Sequence, residues 1–307
     1  WRKFHFESTL NYDRTFAEDH RTSALVYYYM SDEKASSEST SNMNAIPKRY
    51  QGLSARLTYG FRDTYMIDLN FGYTGSENFQ PGRRFGFFPS VALGWVPTQY
   101  EFMKNAKWLN FLKIRASYGT VGNDRLTSTR FPYLTIVNRG SNSPWGSVSQ
   151  ETLIESYIGA DNLEWEVATK FDLGIEGKLF DNRIDFVVDF FNDVRSGIYQ
   201  RRVQVPSYVG LTSMPYSNVG EMRSYGADGN ISYTERLTKD LSLTLRGNFT
   251  YSKNDIDNWE EANPAYPYQE HAGYPNGVVR GYHALGLFKD DYDIETSPVQ
   301  TFGNYQP

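Results

Sequence analysis

Apolar and polar residues alternate with a period of two along most of this chain. Between Leu241 and Ser252, one side carries Leu241, Leu243, Leu245, Gly247, Phe249 and Tyr251, and the other Ser242, Thr244, Arg246, Asn248 and Thr250. Successive side chains of a strand point to opposite faces, so this run reads as a strand with one apolar and one polar face. The alternation recurs over residues 53–61, 65–73, 112–118, 167–179, 184–190 and 225–233, and more weakly over 4–12, 22–30 and 87–95. It predicts about ten strands of about 9 to 13 residues, where ordinary strands have a mode near 5 to 6.

The connections alternate in length. Residues 13–21, 62–63, 180–183 and 234–240 are short links. Residues 31–49, 74–86, 119–166, 194–223 and the chain from Lys253 onward are long ones, and 96–111 is intermediate. Strands of about 9 to 11 residues, with tight turns at one end and long loops at the other, predict an all-β fold: an antiparallel transmembrane β-barrel with short periplasmic turns and long extracellular loops. Such a sheet must close, because hydrocarbon offers no partner to the N–H and C=O groups of an open edge. No run of 18 apolar residues occurs, so no transmembrane helix is expected.

Aromatic residues gather where such strands would cross the membrane interfaces. Tyr12, Phe61, Tyr65, Trp95, Trp108, Phe180 and Tyr233 lie near the tight turns; Tyr27, Tyr28, Tyr29, Tyr73, Tyr118 and Tyr251 lie toward the loops. Two interfacial girdles are predicted. An aromatic core in a soluble β-sandwich would produce the same spacing and stays open.

Composition sharpens this picture. The 307 residues include 24 Tyr, 20 Phe and 6 Trp but no Cys, so thiol redox chemistry, disulfides and cysteine nucleophiles are excluded. A formal charge of −5, with no long run of like charge, makes nucleic acid an unsuitable partner. The first dozen residues mix Arg2, Lys3, His5 and Glu7 among aromatics and form no signal peptide.

The polar faces carry His5, Glu7, Asn11, Arg56, Asp68, Asn70, Lys113, Arg115, Asp172, Glu176, Asp185, Asp189, Asp228, Asn230 and Arg246. An Arg or Lys facing lipid at mid-depth costs about 2 to 4 kcal/mol, so mixed charge belongs on a water-filled interior. The solvated outer face of a sandwich would carry the same residues.

Catalysis finds no support. Asp185 and Asp189 share a face, but four residues of strand separate them by about 13 Å, beyond the about 5 to 9.5 Å of glycosidase carboxylate pairs. The G-x-S-x-G, H-E-x-x-H and phosphate-loop signatures are missing, and His5, His20, His271 and His283 have no metal-ligand spacing. Asp255/Asp257 and Asp290/Asp291/Asp293 lack the Gly and closing Glu of a calcium-binding loop, so no metal and no cofactor is expected. Two glycosylation-type triplets, at Asn230 and Asn248, fall inside predicted strands and read as chance.

The aromatic, Gly/Ser/Asn-rich loops 120–165 and 199–216 form the plausible ligand-facing surface, because aromatic platforms beside polar groups suit sugars and peptides alike. Trp145, Tyr208, Tyr216 and Trp259 are the candidate ligand- or lid-facing side chains. Packing of these loops on each other or on a partner is the competing expectation.

Several sequence blocks carry a family resemblance. Gly82-Arg-Arg-Phe-Gly-Phe-Phe-Pro-Ser-Val-Ala-Leu-Gly-Trp95 and Leu112-Lys-Ile-Arg-Ala-Ser-Tyr-Gly-Thr-Val-Gly-Asn123 resemble the barrel of the SusC/RagA family of TonB-dependent outer-membrane transporters of Bacteroidetes. Tyr157-Ile-Gly-Ala-Asp-Asn-Leu-Glu-Trp-Glu166, Phe190-Phe-Asn-Asp-Val-Arg-Ser-Gly-Ile198, the block from Asn218 to Ala227 and that from Gly273 to Phe288 follow in the expected order. Tyr225-Gly-Ala departs from the family's frequent Lys-Gly followed by a larger residue.

The resemblance implies a barrel of about 22 strands, of which this chain reads as an internal portion. The plug domain and signal peptide are expected to lie outside it. It also implies a SusD-like surface lipoprotein over the loops, TonB acting through the plug, contact with membrane lipid or lipopolysaccharide, and an oligosaccharide or peptide as cargo. A passive porin-like barrel and a secreted all-β glycan-binding module are the alternatives.

Overall fold

The computed structural model describes residues 2–34, 46–211, 213–281, 283–284 and 286–298. Its strands are β1 (Arg2–Phe16), β2 (His20–Lys34), β3 (Lys48–Phe61), β4 (Tyr65–Ser76), β5 (Phe85–Trp95), β6 (Leu109–Asn123), β7 (Ile136–Arg139), β8 (Ser143–Trp145), β9 (Val148–Gln150), β10 (Leu153–Tyr157), β11 (Glu166–Leu179), β12 (Ile184–Arg201), β13 (Tyr216–Arg236) and β14 (Ser242–Asn258). Ten of them form one sheet in the order β1-β2-β3-β4-β5-β6-β11-β12-β13-β14. Every neighbouring pair in it is antiparallel. All ten segments predicted from alternation are present.

The strands outrun their predicted ends. β12 has 18 residues, β13 has 21 and β14 has 17, against the about 9 to 13 expected from alternation. The added residues lie mostly on the loop side, where polar groups occupy both faces and the two-residue signal fades. The loop after β6 is also less bare than expected, since it holds two small antiparallel pairs, β7 with β10 and β8 with β9. The connection 96–108 is not a simple turn either: it contains short helical turns at Pro97–Gln99 and Glu101–Lys104.

The tight turns bend through the left-handed region without glycine. Arg62 and Asp63 have φ of 52° and 49°, and Phe180, Asp181 and Asn182 have 52°, 57° and 63°. Two successive positive φ values match the right-handed twist of a hairpin, and Asp and Asn tolerate that region best among side chains bearing a Cβ. Neighbouring turns are tied together: Arg62 N–H donates to the Asp19 carbonyl (2.9 Å) and Phe180 N–H to the Trp108 carbonyl (2.9 Å).

Among the described residues, no second layer covers the apolar face of the sheet. Leu10 is 70% exposed, Leu93 55% and Phe249 51%, with Phe171, Phe190, Ile231 and Leu245 exposed alongside them. Full burial of one such side chain stabilises by about 1.5 to 3 kcal/mol, so a continuous exposed face of this kind requires an apolar surrounding. The buried apolar side chains lie instead near the ends of the strands. Phe79, Ala160, Leu163 and Tyr199 form a cluster at the loop end, with Leu126, Tyr133, Trp165 and Tyr216 packed against it.

Residues from 277 onward form a separate small unit. Within it, the Asp293 N–H donates to the Asp290 carboxylate (2.9 Å), which caps the short helix Asp291–Thr296. The Asp290/Asp291/Asp293 run therefore builds a helix start, where side-chain oxygens satisfy otherwise unpaired N–H groups.

Candidate functional site

Strand register decides which side chains share a face. One row runs Glu7, Tyr29, Gly52, Thr74 and Gly86 across β1 to β5. Another runs Gly94, Arg115, Gly174, Asp189, Asp228 and Thr250 across β5 to β14. All fifteen polar-face residues predicted from alternation fall on this single side of the sheet. In a barrel it is the inward side.

Its centre is an ion network on β6, β11 and β12. Arg115 donates from Nε to Glu176 (2.9 Å), from Nη1 to Asp172 (3.2 Å) and from Nη2 to Asp189 (2.8 Å). Lys113 donates to Glu176 at 3.5 Å. Arg115 reaches Asp189 across β11 because Gly174 lies between them, and a Cβ there would meet the Asp189 carboxylate and, at 2.7 Å, the Arg115 guanidinium carbon. Asp185 pairs instead with Lys178 at 3.6 Å and Asp193 with Lys170 at 3.0 Å, so the three aspartates of β12 meet three different cations. On the far side, Arg56 binds Asp68 on β4, and Asn70 also donates to Asp68 (2.9 Å).

A second inward element was not expected. Tyr27 and Tyr29 lie on the polar face rather than in a lipid-facing girdle; Tyr28 alone of the three points to the apolar side. Tyr27 donates to Glu7 (2.9 Å). The rings of Tyr27 and Tyr29 stack at 5.5 Å, and those of Tyr29 and Tyr50 at 5.7 Å. The run Tyr27-Tyr28-Tyr29 must populate both faces, and strand parity counted from Glu7 through the register is the signal that separates them.

This tyrosine row ends at a polar cleft of about 610 Å³ at the loop end, whose lining includes Tyr50, Glu77, Asn78, Asp124, Arg125 and Arg130. Ser76 donates to Asp124 (2.7 Å), and Arg130 donates to the carbonyls of Ile46 (2.6 Å) and Pro47 (3.2 Å), fixing its walls. Burial pushes the Arg130 guanidinium down from its ordinary value. The side chains of Lys48 and Arg125, both lining the cleft, are exposed and have no hydrogen-bond or ion-pair partner among the described residues.

The family-like blocks form structural ties at this same end. Glu166, 6% exposed, accepts from Tyr199 N–H (3.1 Å) and Asn123 Nδ2 (2.8 Å), linking β11 to β12 and β6. Asn218 donates to the carbonyls of Gly197 (2.7 Å) and Glu164 (3.0 Å) and accepts from Glu164 N–H (3.0 Å). Gly197 has φ +66°, a conformation suited to glycine, at a register shift in β12. Arg83 reaches Glu164 at 2.6 Å, which ties the β4–β5 loop to the same block.

The four candidate aromatics do not converge. Trp145 is 75% exposed at the end of β8, and Tyr208 is 88% exposed in the turn Ser207–Val209. Tyr216 opens β13 instead of lying in a loop, and its ring stacks on Tyr199 (5.2 Å) and Tyr157 (5.9 Å), whose hydroxyls hydrogen bond at 2.8 Å. Burial raises the Tyr157 phenol above its ordinary value.

Trp259 follows β14 and stacks on His271 (6.4 Å). Beside it, Glu261 accepts from His271 Nδ1 (2.7 Å) and from the His271 and Ala272 N–H groups. Glu260 binds Arg202 and accepts from the Val203 and Gln204 N–H groups, each at 3.2 Å. Among the described residues, no three His, Asp or Glu side chains gather in a way that could hold a metal ion.

Comparison with known proteins accords with this architecture. The family model described as TonB dependent receptor-like, beta-barrel, matches residues 1–292, and the chain belongs to that family. The TonB-dependent receptor P39 of Formosa agariphila is 26% identical over 96% of this chain and 30% of that protein. The TonB-dependent receptor SusC of Bacteroides thetaiotaomicron is 26% identical over 66% of this chain and 20% of that protein. Among solved structures, the RagAB peptide transporter superposes with a TM-score of 0.70 and 23% identity, over 89% of this chain and 32% of that one. The fold is that of a SusC/RagA-type barrel, and the chain spans under a third of the length of these relatives.

Proposed function

We propose that these residues form part of the barrel wall of an outer-membrane transporter that imports an oligosaccharide or peptide nutrient with energy delivered through TonB. The remaining barrel strands and the plug belong, in this reading, to other parts of the same protein. A SusD-like lipoprotein covers the loop end. The observation that carries the proposal is the division of the sheet into an exposed, unbroken apolar face and an ion-paired polar face, which suits a wall between lipid and water.

At the loop end, the cleft beside Tyr50 and the exposed rings of Trp145 and Tyr208 are the surfaces available to ligand and lid. Tyr216 and Trp259 contribute by holding the strands and loops that frame them. The full-length protein is expected in the outer-membrane fraction, released only by detergent, and a freely soluble folded monomer would overturn the reading. Removing TonB is expected to abolish uptake of the nutrient; continued uptake in that strain would favour the porin-like alternative. A glycan-binding module is disfavoured by the apolar face, which such a module would need to cover.

A further inference from the structure

The connection 96–108 departs from the other links at its end of the sheet. The others turn back tightly, whereas this one carries helical turns and leaves Phe102 70% exposed and Trp108 56% exposed. Its position is fixed. Val96 and Pro97 are buried, Val96 N–H donates to the Thr64 carbonyl (2.8 Å), and Leu112 N–H donates to Thr98 Oγ1 (3.2 Å). The exposure of Phe102 is therefore not the looseness of an unanchored loop.

The direction of the connection is also fixed. Tyr65 and Trp95 are register partners and mark the last apolar-face pair before the turns. The Tyr100 hydroxyl hydrogen bonds to that of Tyr65, its ring lies edge-on to Trp95 at 6.5 Å, and Phe102 stacks on Tyr100 at 5.6 Å. The chain thus folds back over the lipid-facing side and extends the apolar belt outward by two rings. Directly beside it lies a groove of about 420 Å³ lined by Tyr65, Ile67, Leu93, Trp95, Ile114 and Ala116. Aromatic residues with one polar edge and one apolar body favour the boundary between headgroups and acyl chains, as do apolar rings on short amphipathic segments.

We propose that residues 97–104 form a membrane anchor, with Tyr100 and Phe102 seated in the headgroup boundary of the periplasmic leaflet and a phospholipid acyl chain lying in the adjoining Ile67/Leu93/Ile114 groove. The occupant is lipid because the surface is continuous with the belt and shares its apolar character, and Tyr65 and Tyr100 place their hydroxyls together at the belt's rim. The anchor fixes the height of the tight-turn end of the barrel relative to the bilayer. It rests on the reading of the apolar face as lipid-facing.

The 307 residues contain no cysteine, so nitroxide labels can be introduced singly in a cysteine-free full-length protein. Phe102→Cys, Leu93→Cys in the belt and Asp63→Cys at a turn tip are compared in nanodiscs of phosphatidylethanolamine and phosphatidylglycerol. The readout is accessibility to oxygen against a water-soluble nickel chelate. The oxygen-to-nickel ratio at position 102 is expected to exceed that at position 63 several-fold and to lie nearer the value at 93. A ratio nearer that of position 63 overturns the anchor while leaving the barrel reading intact. A water-like ratio at position 93 itself overturns the lipid-facing assignment and the anchor with it.

Discussion

The inward surface has two regions built from different chemistry. Between β6 and β12, charged groups satisfy one another: Arg115 has three carboxylates, Lys113 shares one of them, and little donor or acceptor capacity is left for a ligand. Between β2 and β4, stacked tyrosines line the wall and lead to a cleft where Lys48 and Arg125 are unpaired among the described residues. A self-paired network makes a stable wall with low affinity for solutes. A tyrosine row ending at cations unpaired among the described residues makes a surface that still has interactions to offer. We propose that the first region serves stability and the second ligand contact.

Substitutions can separate these roles. Arg115→Leu leaves Asp172, Glu176 and Asp189 facing one another without their shared cation. It is expected to destabilise the full-length barrel by about 1 to 3 kcal/mol, between the values for exposed and for buried ion pairs, because the network is partly solvated. Denaturant titration followed by tryptophan fluorescence measures this, and an unchanged midpoint would remove the network's structural role.

Gly174→Val tests the same region through sterics. Overpacking against Arg115 and Asp189 is expected to cost about 1 to 3 kcal/mol. Gly247→Ala, whose Cβ would meet only an Ile231 methyl at 3.6 Å, is expected to stay within about 0.5 kcal/mol of the parent. Equal effects at the two glycines would show that close approach is not what matters at position 174.

In the second region, Arg125→Glu should leave the unfolding midpoint in place and reduce nutrient uptake by about tenfold, the equivalent of about 1.4 kcal/mol of binding. Undiminished growth on the nutrient would remove the cleft from the ligand path.

The smallest expected effect concerns the loops. Burial alone would raise the Glu260 and Glu261 carboxyls. For Glu260 the Arg202 guanidinium and two backbone N–H groups outweigh it, and for Glu261 the N–H and ring of His271 and the Ala272 N–H do so, holding both below the ordinary glutamate value. A depressed folded-state value means stability that is fully present above the ordinary value and lost as pH falls through the depressed one. The hydrogen-exchange protection of residues 203–204 and 271–272, taken relative to the intrinsic exchange rate at each pH, is therefore expected to hold near neutrality and to fall only in acid. A loss of protection on raising the pH from neutrality would contradict the assignment.

The architecture was legible because lipid on one side and water on the other impose a two-residue period, and that period located all ten sheet strands and their faces. Where both faces meet water the period disappears, so the loop-side extensions of β12 to β14 and the small pairs β7/β10 and β8/β9 left no such trace. Proximity to the loops alone points Tyr27 and Tyr29 to a girdle, whereas their parity with Glu7 places them inward. Trp145 and Tyr208 are exposed as a contact surface requires, but the side chains that tie the loop end together, Glu166, Asn218 and Glu260, are polar residues whose role depends on partners far away in sequence.

The glycines of the inward face set its relief. Tyr29 lies over Gly52, Phe88 over Gly86 and Gly122, and Arg115 over Gly174. Each large side chain lies along the wall where a neighbour on its own strand or the next has no Cβ. The contour of this face is thus set in part by residues that have no side chain. A methyl group at one of these glycines is expected to displace the ring or guanidinium that lies over it, so the relief of the wall answers to positions that carry no side chain.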